Sequence, residues 1–189
     1  MTINKIKKVA LMNFIEKGYE GTSLADIANE VGIKKQSIYS HFKNKDELFI
    51  TVMTDVLTEE TEFLYNFFNN PYIDLKNHLE KFILQIKERY IQNEQSSMKF
   101  VLRMAYMPPL HLKEEVINNF NTYFLKLEDL INMLFLNDLA LSKKANIATL
   151  SFMTMLDGLL VALIYGGTER FNLKLEASWE LYWIGLLNI

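Results

Sequence analysis

The stretch Leu24–Phe42, LADIANEVGIKKQSIYSHF, leaves this chain few ways to fold. Leu24, Ile27, Ala28 and Val31 recur at i, i+3, i+4 and i+7, the spacing of one apolar helix face. Ser23 stands ahead of them as an N-cap, and Asp26 three residues on completes a shortened capping box. Gly32 follows the last apolar position, where a residue free to adopt positive φ turns the chain. Beyond it Ile33, Ile38 and Phe42 can pack a second helix back onto the first. The residues between and beside them, Lys34, Lys35, Gln36, Ser37, Tyr39, Ser40 and His41, are rich in hydrogen-bond donors. The spacing predicts a helix-turn-helix whose second helix, from about Lys35 to His41, reads a DNA major groove.

A net charge of −3 argues against a DNA binder until its distribution is considered. Residues 1–45 carry eight lysines against four acids, a charge of +4, which leaves −7 on the remainder. A basic head on an acidic body still presents a local phosphate-binding face. Within the reading helix the chemistry divides. Gln36 can bond adenine N6 and N7 together, and Lys35 can reach guanine O6 and N7. Tyr39 and His41, rigid rings with polar tips, suit phosphate and sugar.

The wider run, AL..F...GYEGTSL.DIA...GI....IY.HFKNKDEL, resembles the tetracycline-repressor (TetR) family of bacterial transcription regulators over about the first quarter of the chain. The resemblance implies an all-α fold in two parts. Residues 1–47 would be a three-helix DNA-binding head with the helix-turn-helix, and 48–189 a helical ligand-binding and dimerisation body. It implies phosphate contacts at Thr22 and Lys45, and base and backbone contacts from Lys34, Lys35, Gln36, Ser37, Tyr39, Ser40 and His41. The long amide at Gln36 departs from the Gly or Pro of many relatives. The resemblance also implies a homodimer through the last two helices, bound to a pseudo-palindromic double-stranded DNA operator. A repressor of this kind would be released by a small lipophilic effector. Two alternatives stay open: an activator or ligand-blind regulator, and a helical lipophile-binding protein without a DNA function.

Elsewhere the apolar period is helical and no strand-like alternation is sustained. The first helix should span Thr2 to about Lys17, with Ile3, Ile6, Ala10 and Phe14 inward and Lys5, Lys7 and Lys8 outward. A long helix should follow from Asp46 to about Asn70, stopped by Pro71. Further helices are expected from Tyr72 to about Asn93, Ser96 to Met107 and Leu110 to Leu136, with Pro108-Pro109 as the clearest breaker. The last two, Ala145–Tyr165 and Lys174–Leu187, are apolar nearly all round and should be buried on more than one side, with Gly166-Gly167 turning the chain between them.

The body concentrates aromatics and methionines at inward positions, the lining a lipophile pocket uses. The expected lining is Phe63, Phe67, Phe82, Tyr90, Phe100, Met104, Met107, Phe120, Tyr123, Phe124 and Met153. Asp157, inside the apolar run FMTMLDGLLVAL, needs a counter-charge if buried. That partner is either a cationic ligand or a basic side chain such as Arg103 or Arg170, in the same chain or across a dimer interface. No enzyme activity is read: His41, His78 and His111 are scattered, and no phosphate loop, nucleophile elbow or paired-carboxylate motif is present. With no cysteine there is no thiolate metal site or disulfide, and no cofactor or metal is expected. The N-terminus has no secretory h-region, and the apolar run Met153–Tyr165 is read as too short to span a bilayer. A cytoplasmic protein with no membrane partner is expected.

Overall fold

In the computed structural model residues 2–92 and 97–188 are described, and among them there is no strand. The helices are α1 (Thr2–Lys17), α2 (Leu24–Val31), α3 (Lys35–Tyr39), α4 (Lys45–Phe68), α5 (Leu75–Gln92), α6 (Ser97–Tyr106), α7 (Lys113–Asn137) and α8 (Ala145–Asn188). Single 3-10 turns at Leu110–Leu112 and Ser142–Lys144 lead into α7 and α8. The expected helix ends at Asn93 and Ser96 lie outside the described residues.

The chain divides into two compact units, Met1–Phe63 with Tyr90–Asn121, and Leu64–Arg89 with Thr122–Ile189. They do not coincide with the expected division into 1–47 and 48–189. In the first unit Ile6, Ala10 and Phe14 of α1 are fully buried, but Ile3 is exposed, one turn too early to be covered. Phe14 meets Phe49 of α4 edge-on at 5.1 Å, and Phe49 meets Phe100 of α6 at 5.8 Å. These contacts join the reading head to α4 and α6 in one core.

Two cap motifs start helices where the sequence permits. The Asn44 side chain accepts the Glu47 N–H at 2.8 Å, and the Asp74 carboxylate accepts the Asn77 N–H at 2.7 Å. Between α7 and α8 Asp138 folds the connector by accepting the N–H groups of Ala140 (2.9 Å) and Leu141 (3.0 Å).

In the second unit α8 is two helices in direct succession. Gly167, with φ 66° and ψ −167°, breaks them in a conformation essentially reserved for glycine. The expected turn at Gly166-Gly167 is there, but the second helix resumes at once rather than at Lys174, because one glycine suffices to reverse the chain. The halves fold back on each other. The Tyr182 hydroxyl donates to the Ala148 carbonyl (2.8 Å), the Lys144 ammonium to the Leu186 carbonyl (3.1 Å), and Phe152 meets Trp179 at 6.5 Å. Lys76 pairs with Glu180 at 2.7 Å to fasten α5 alongside. The longer segment Ser142–Asn188, which contains Met153–Tyr165, is long and apolar enough to cross a membrane by length and composition alone. Here its apolar residues Phe152, Leu156, Leu160, Leu163, Trp179 and Trp183 are buried within the unit, as in a core helix.

Candidate nucleic-acid interface

The helix-turn-helix forms as its residues dictate. Ser23 Oγ accepts the Asp26 N–H at 3.1 Å and donates to the Asp26 carboxylate at 2.6 Å. Gly32 takes φ 80° and ψ 36°, and the N–H groups of Gly32 and Ile33 both return to the Ala28 carbonyl, at 3.0 and 2.9 Å. Ile38 is fully buried and Phe42 nearly so, while Ile33 is half-buried, so α3 is pinned by its apolar side. The reading helix is two residues shorter than expected: α3 ends at Tyr39, and Ser40 and His41 form a turn in which the His41 N–H bonds the Ile38 carbonyl at 2.9 Å.

The outward side of this segment carries Lys34, Lys35, Gln36, Tyr39, Ser40 and His41, all exposed, with Ser37 half-buried. Tyr39 is 49% exposed, so its ring is not packed into the core. Lys35 lies 5.8 Å over the Tyr39 ring, and the Ser40 hydroxyl donates to the Ser37 carbonyl at 2.8 Å. The seven side chains thus lie on the five-residue helix and its flanks, away from the buried Ile38.

Thr22 and Lys45 sit differently. Thr22 is 2% exposed; its hydroxyl donates to the Gly18 carbonyl at 2.7 Å and its N–H to the Tyr19 carbonyl at 3.2 Å. The Lys45 ammonium donates to the carbonyls of Tyr19 (2.8 Å) and Thr22 (3.0 Å) and lies 3.9 Å over the Tyr19 ring. Both brace the turn between α1 and α2. The outward lysines of α1 divide likewise: Lys5, though exposed, donates to the Val31 carbonyl at 2.8 Å and Lys7 pairs with Asp55 at 2.5 Å, whereas Lys8 faces solvent. Lys5 therefore places a cation on the C-terminus of α2, where the helix dipole favours one.

Residues 6–52 match the model of the tetR family of bacterial regulatory proteins. The biofilm operon icaADBC HTH-type negative transcriptional regulator IcaR of Staphylococcus epidermidis is 42% identical over 91 residues, 47% of this chain and 49% of IcaR. The match thus spans about half the length of that relative. A TetR-family regulator from Agrobacterium tumefaciens superposes with a TM-score of 0.76 at 20% identity, over 95% of this chain and 96% of that one. The chain is thus similar to the TetR family. Its head matches the family in sequence, and nearly its whole length matches it in fold. FadR of Bacillus subtilis, solved in complex with stearoyl-CoA, shares the fold with a TM-score of 0.70 at 14% identity, over 95% of this chain and 96% of that one.

The residues expected to line a pocket in the body fall in both compact units. Phe63, Tyr90, Phe100, Met104, Met107 and Phe120 belong to the first, and Phe67, Phe82, Tyr123, Phe124, Met153 and Asp157 to the second. Phe67, Phe82, Phe100, Met104, Phe120 and Tyr123 are buried, and Phe63, Tyr90, Phe124 and Met153 half-buried. Met107 is exposed, because Pro108 ends α6 just behind it. Asp157 is exposed on α8 in the single chain. Burial by its apolar neighbours still pushes its carboxyl up. Arg103, one suggested partner, donates instead to the Ile15 carbonyl. Two clefts in the second unit, of about 650 and 540 Å³, are open grooves along α8 that none of these twelve residues lines.

The sequence reading missed one polar cluster beside the head. The Tyr19 hydroxyl donates to Asp46 Oδ1, and His111 Nε2 lies 3.2 Å from the same oxygen. The Tyr19 bond and His111 hold the Asp46 carboxyl below the usual carboxylate range, and burial with Asp46 beside it pushes the Tyr19 hydroxyl well up. His111 is 65 residues from Asp46 in sequence, so no local pattern signals the pairing.

Proposed function

We propose that this chain is a TetR-family DNA-binding transcriptional repressor that a small lipophilic ligand releases from its operator. The observation that carries the reading is the exposed row from Lys34 to His41 on a helix pinned by Ile38, inside a head that matches the family. IcaR, whose name describes a negative transcriptional regulator, aligns over that same head. Lys34, Lys35, Gln36, Ser37, Tyr39, Ser40 and His41 meet the groove, and Thr22 and Lys45 hold the turn that aims them and bring it to the phosphates. The work is done in the cytoplasm, at a promoter.

The chain acts as a homodimer through the two halves of α8. They leave Ile147, Leu150, Leu181, Ile184 and Leu187 exposed, more apolar surface than a lone helix pair needs to show water. A two-fold dimer presents its heads to successive major grooves of a pseudo-palindrome. The effector shifts the population between head spacings, which requires it to prefer one of them. An acyl thioester of coenzyme A is the first class to try, since FadR of the same fold is described with stearoyl-CoA.

DNA from upstream of the chain's own gene should be retarded in a gel, with affinity falling steeply as salt rises. Lys35→Ala with Tyr39→Ala should abolish retardation while the fold survives; unchanged binding refutes the assigned surface. A thermal-shift panel of acyl-CoA, cationic and neutral lipophiles on wild type and Asp157→Asn identifies the effector class. A cation whose stabilisation depends on Asp157 would overturn the acyl-CoA choice.

A further inference from the structure

Two groups outside the helix-turn-helix grip the turn between α1 and α2. The Arg103 guanidinium of α6 donates to the Ile15 carbonyl at 3.0 Å. It also occupies the space beside Gly18, 2.9 Å from where a Cβ would stand, and Gly18 itself needs φ 73°. His111, in the 3-10 turn ahead of α7, is the second. Its ring lies 5.0 Å from that of Tyr19, and its Nε2 is 3.2 Å from the Asp46 oxygen that accepts the Tyr19 hydroxyl. One carboxylate oxygen therefore joins the turn, the start of α4 and the start of α7.

The charged and titratable groups around this junction are Asp46 and Lys45 from α4, Tyr19 and Glu20 from the turn, and Arg103 from α6. Lys45 and Arg103 carry fixed positive charge, and both already bond backbone carbonyls. A histidine differs in changing its charge between about pH 5 and 8. A neutral ring with hydrogen on Nε2 can donate to Asp46; an imidazolium donates with a full charge and makes a stronger bond.

We propose that His111 is a positioning residue for the DNA-reading head: when protonated it pairs with Asp46 and holds the Gly18–Ser23 turn, and with it α2 and α3, more firmly than when neutral. The role in operator binding rests on the repressor reading above; the tie itself does not. Both side chains are close to half exposed, so the gain is that of a surface pair.

Hydrogen exchange on the full chain at pH 5.5 and 7.5, corrected for intrinsic rates, tests the tie. In wild type, amides 18–23 should exchange roughly two- to fivefold more slowly at pH 5.5. His111→Gln keeps an amide donor but no charge, so it should retain the protection seen at pH 7.5 and lose the difference. Asp46→Asn, which still accepts from Tyr19, should lose it too. An equal pH difference in His111→Gln and wild type, or none in wild type, overturns the proposal. The second arm measures retention of the upstream DNA fragment across the same pH range in a His41→Gln background, which removes the exposed histidine of the reading segment. Adding His111→Gln should change the pH dependence of Kd; an unchanged profile overturns the positioning role. If no variant retains the fragment at any pH, the repressor reading fails and the exchange arm alone decides the tie.

Discussion

Lys5 and Lys35 carry the same charge and face different partners. Both are exposed, but Lys5 donates to the Val31 carbonyl at the end of α2, whereas Lys35 lies over the Tyr39 ring on α3. Lys35→Ala should lower the slope of log K against log salt by about one, the loss of one phosphate neutralised. Lys5→Ala should leave that slope unchanged and lower the denaturation midpoint. Retardation at four salt concentrations with urea melts of both variants separates the cases; equal slope changes would refute the distinction. His78 is the other residue whose setting decides its behaviour. Its ring is stacked between Phe67 and Tyr72 at 4.6 Å from each. Burial, with Lys81 nearby, pushes its pKa down, so the folded chain prefers the neutral ring. Below about pH 6.5 the unfolded chain takes up a proton that the folded ring resists. Stability present above that pH is therefore lost as the pH falls through the lowered folded value. His78→Leu should flatten this decline, read as the change in urea midpoint between pH 7.5 and 5.5.

At the scale of elements, α8 depends on one backbone conformation. Its residues are apolar on both sides of the break, so nothing in their periodicity would stop a single straight helix. Gly167 stops it. Gly167→Val should cost on the order of 1–3 kcal/mol, since φ 66° with ψ −167° is strained for any side chain. Calorimetry should show the loss. Gly158, earlier in α8, with open space where a Cβ would stand and an ordinary helical backbone, should accept Ala with little change. α3 shows the opposite economy: five residues are too few to be stable alone, and Ile38 and Phe42 hold them by tertiary burial.

The whole molecule, on the reading proposed here, is a two-fold dimer. Leu181 and Ile184, 70% and 55% exposed, are on the surface of the second half of α8. Leu181→Glu with Ile184→Glu should turn dimer to monomer in sedimentation and leave the helical circular dichroism intact. Operator affinity should then fall by at least tenfold, because two heads no longer share one binding event. A double variant that still sediments as wild type would move the interface off α8.

The sequence by itself determined the local chemistry. The 3.6-residue period of Leu24, Ile27, Ala28 and Val31, the Ser23 cap and the Gly32 turn act within one or two helical turns, so they are legible in a linear string. The exposed row Lys34–His41 followed from them, because a short helix pinned at Ile38 must show its other side to solvent. Only the tertiary structure decided which charges were available. Lys5, Lys7 and Lys45 bond partners 26, 48 and 26 residues away, and Asp46 meets His111 across 65. Likewise Asp157 reads as a core residue from its apolar neighbours in sequence, yet is exposed in the single chain, because the side a helical residue shows is set by what packs against the helix. Burial and pairing at long range depend on the assembled chain, and no local window contains them.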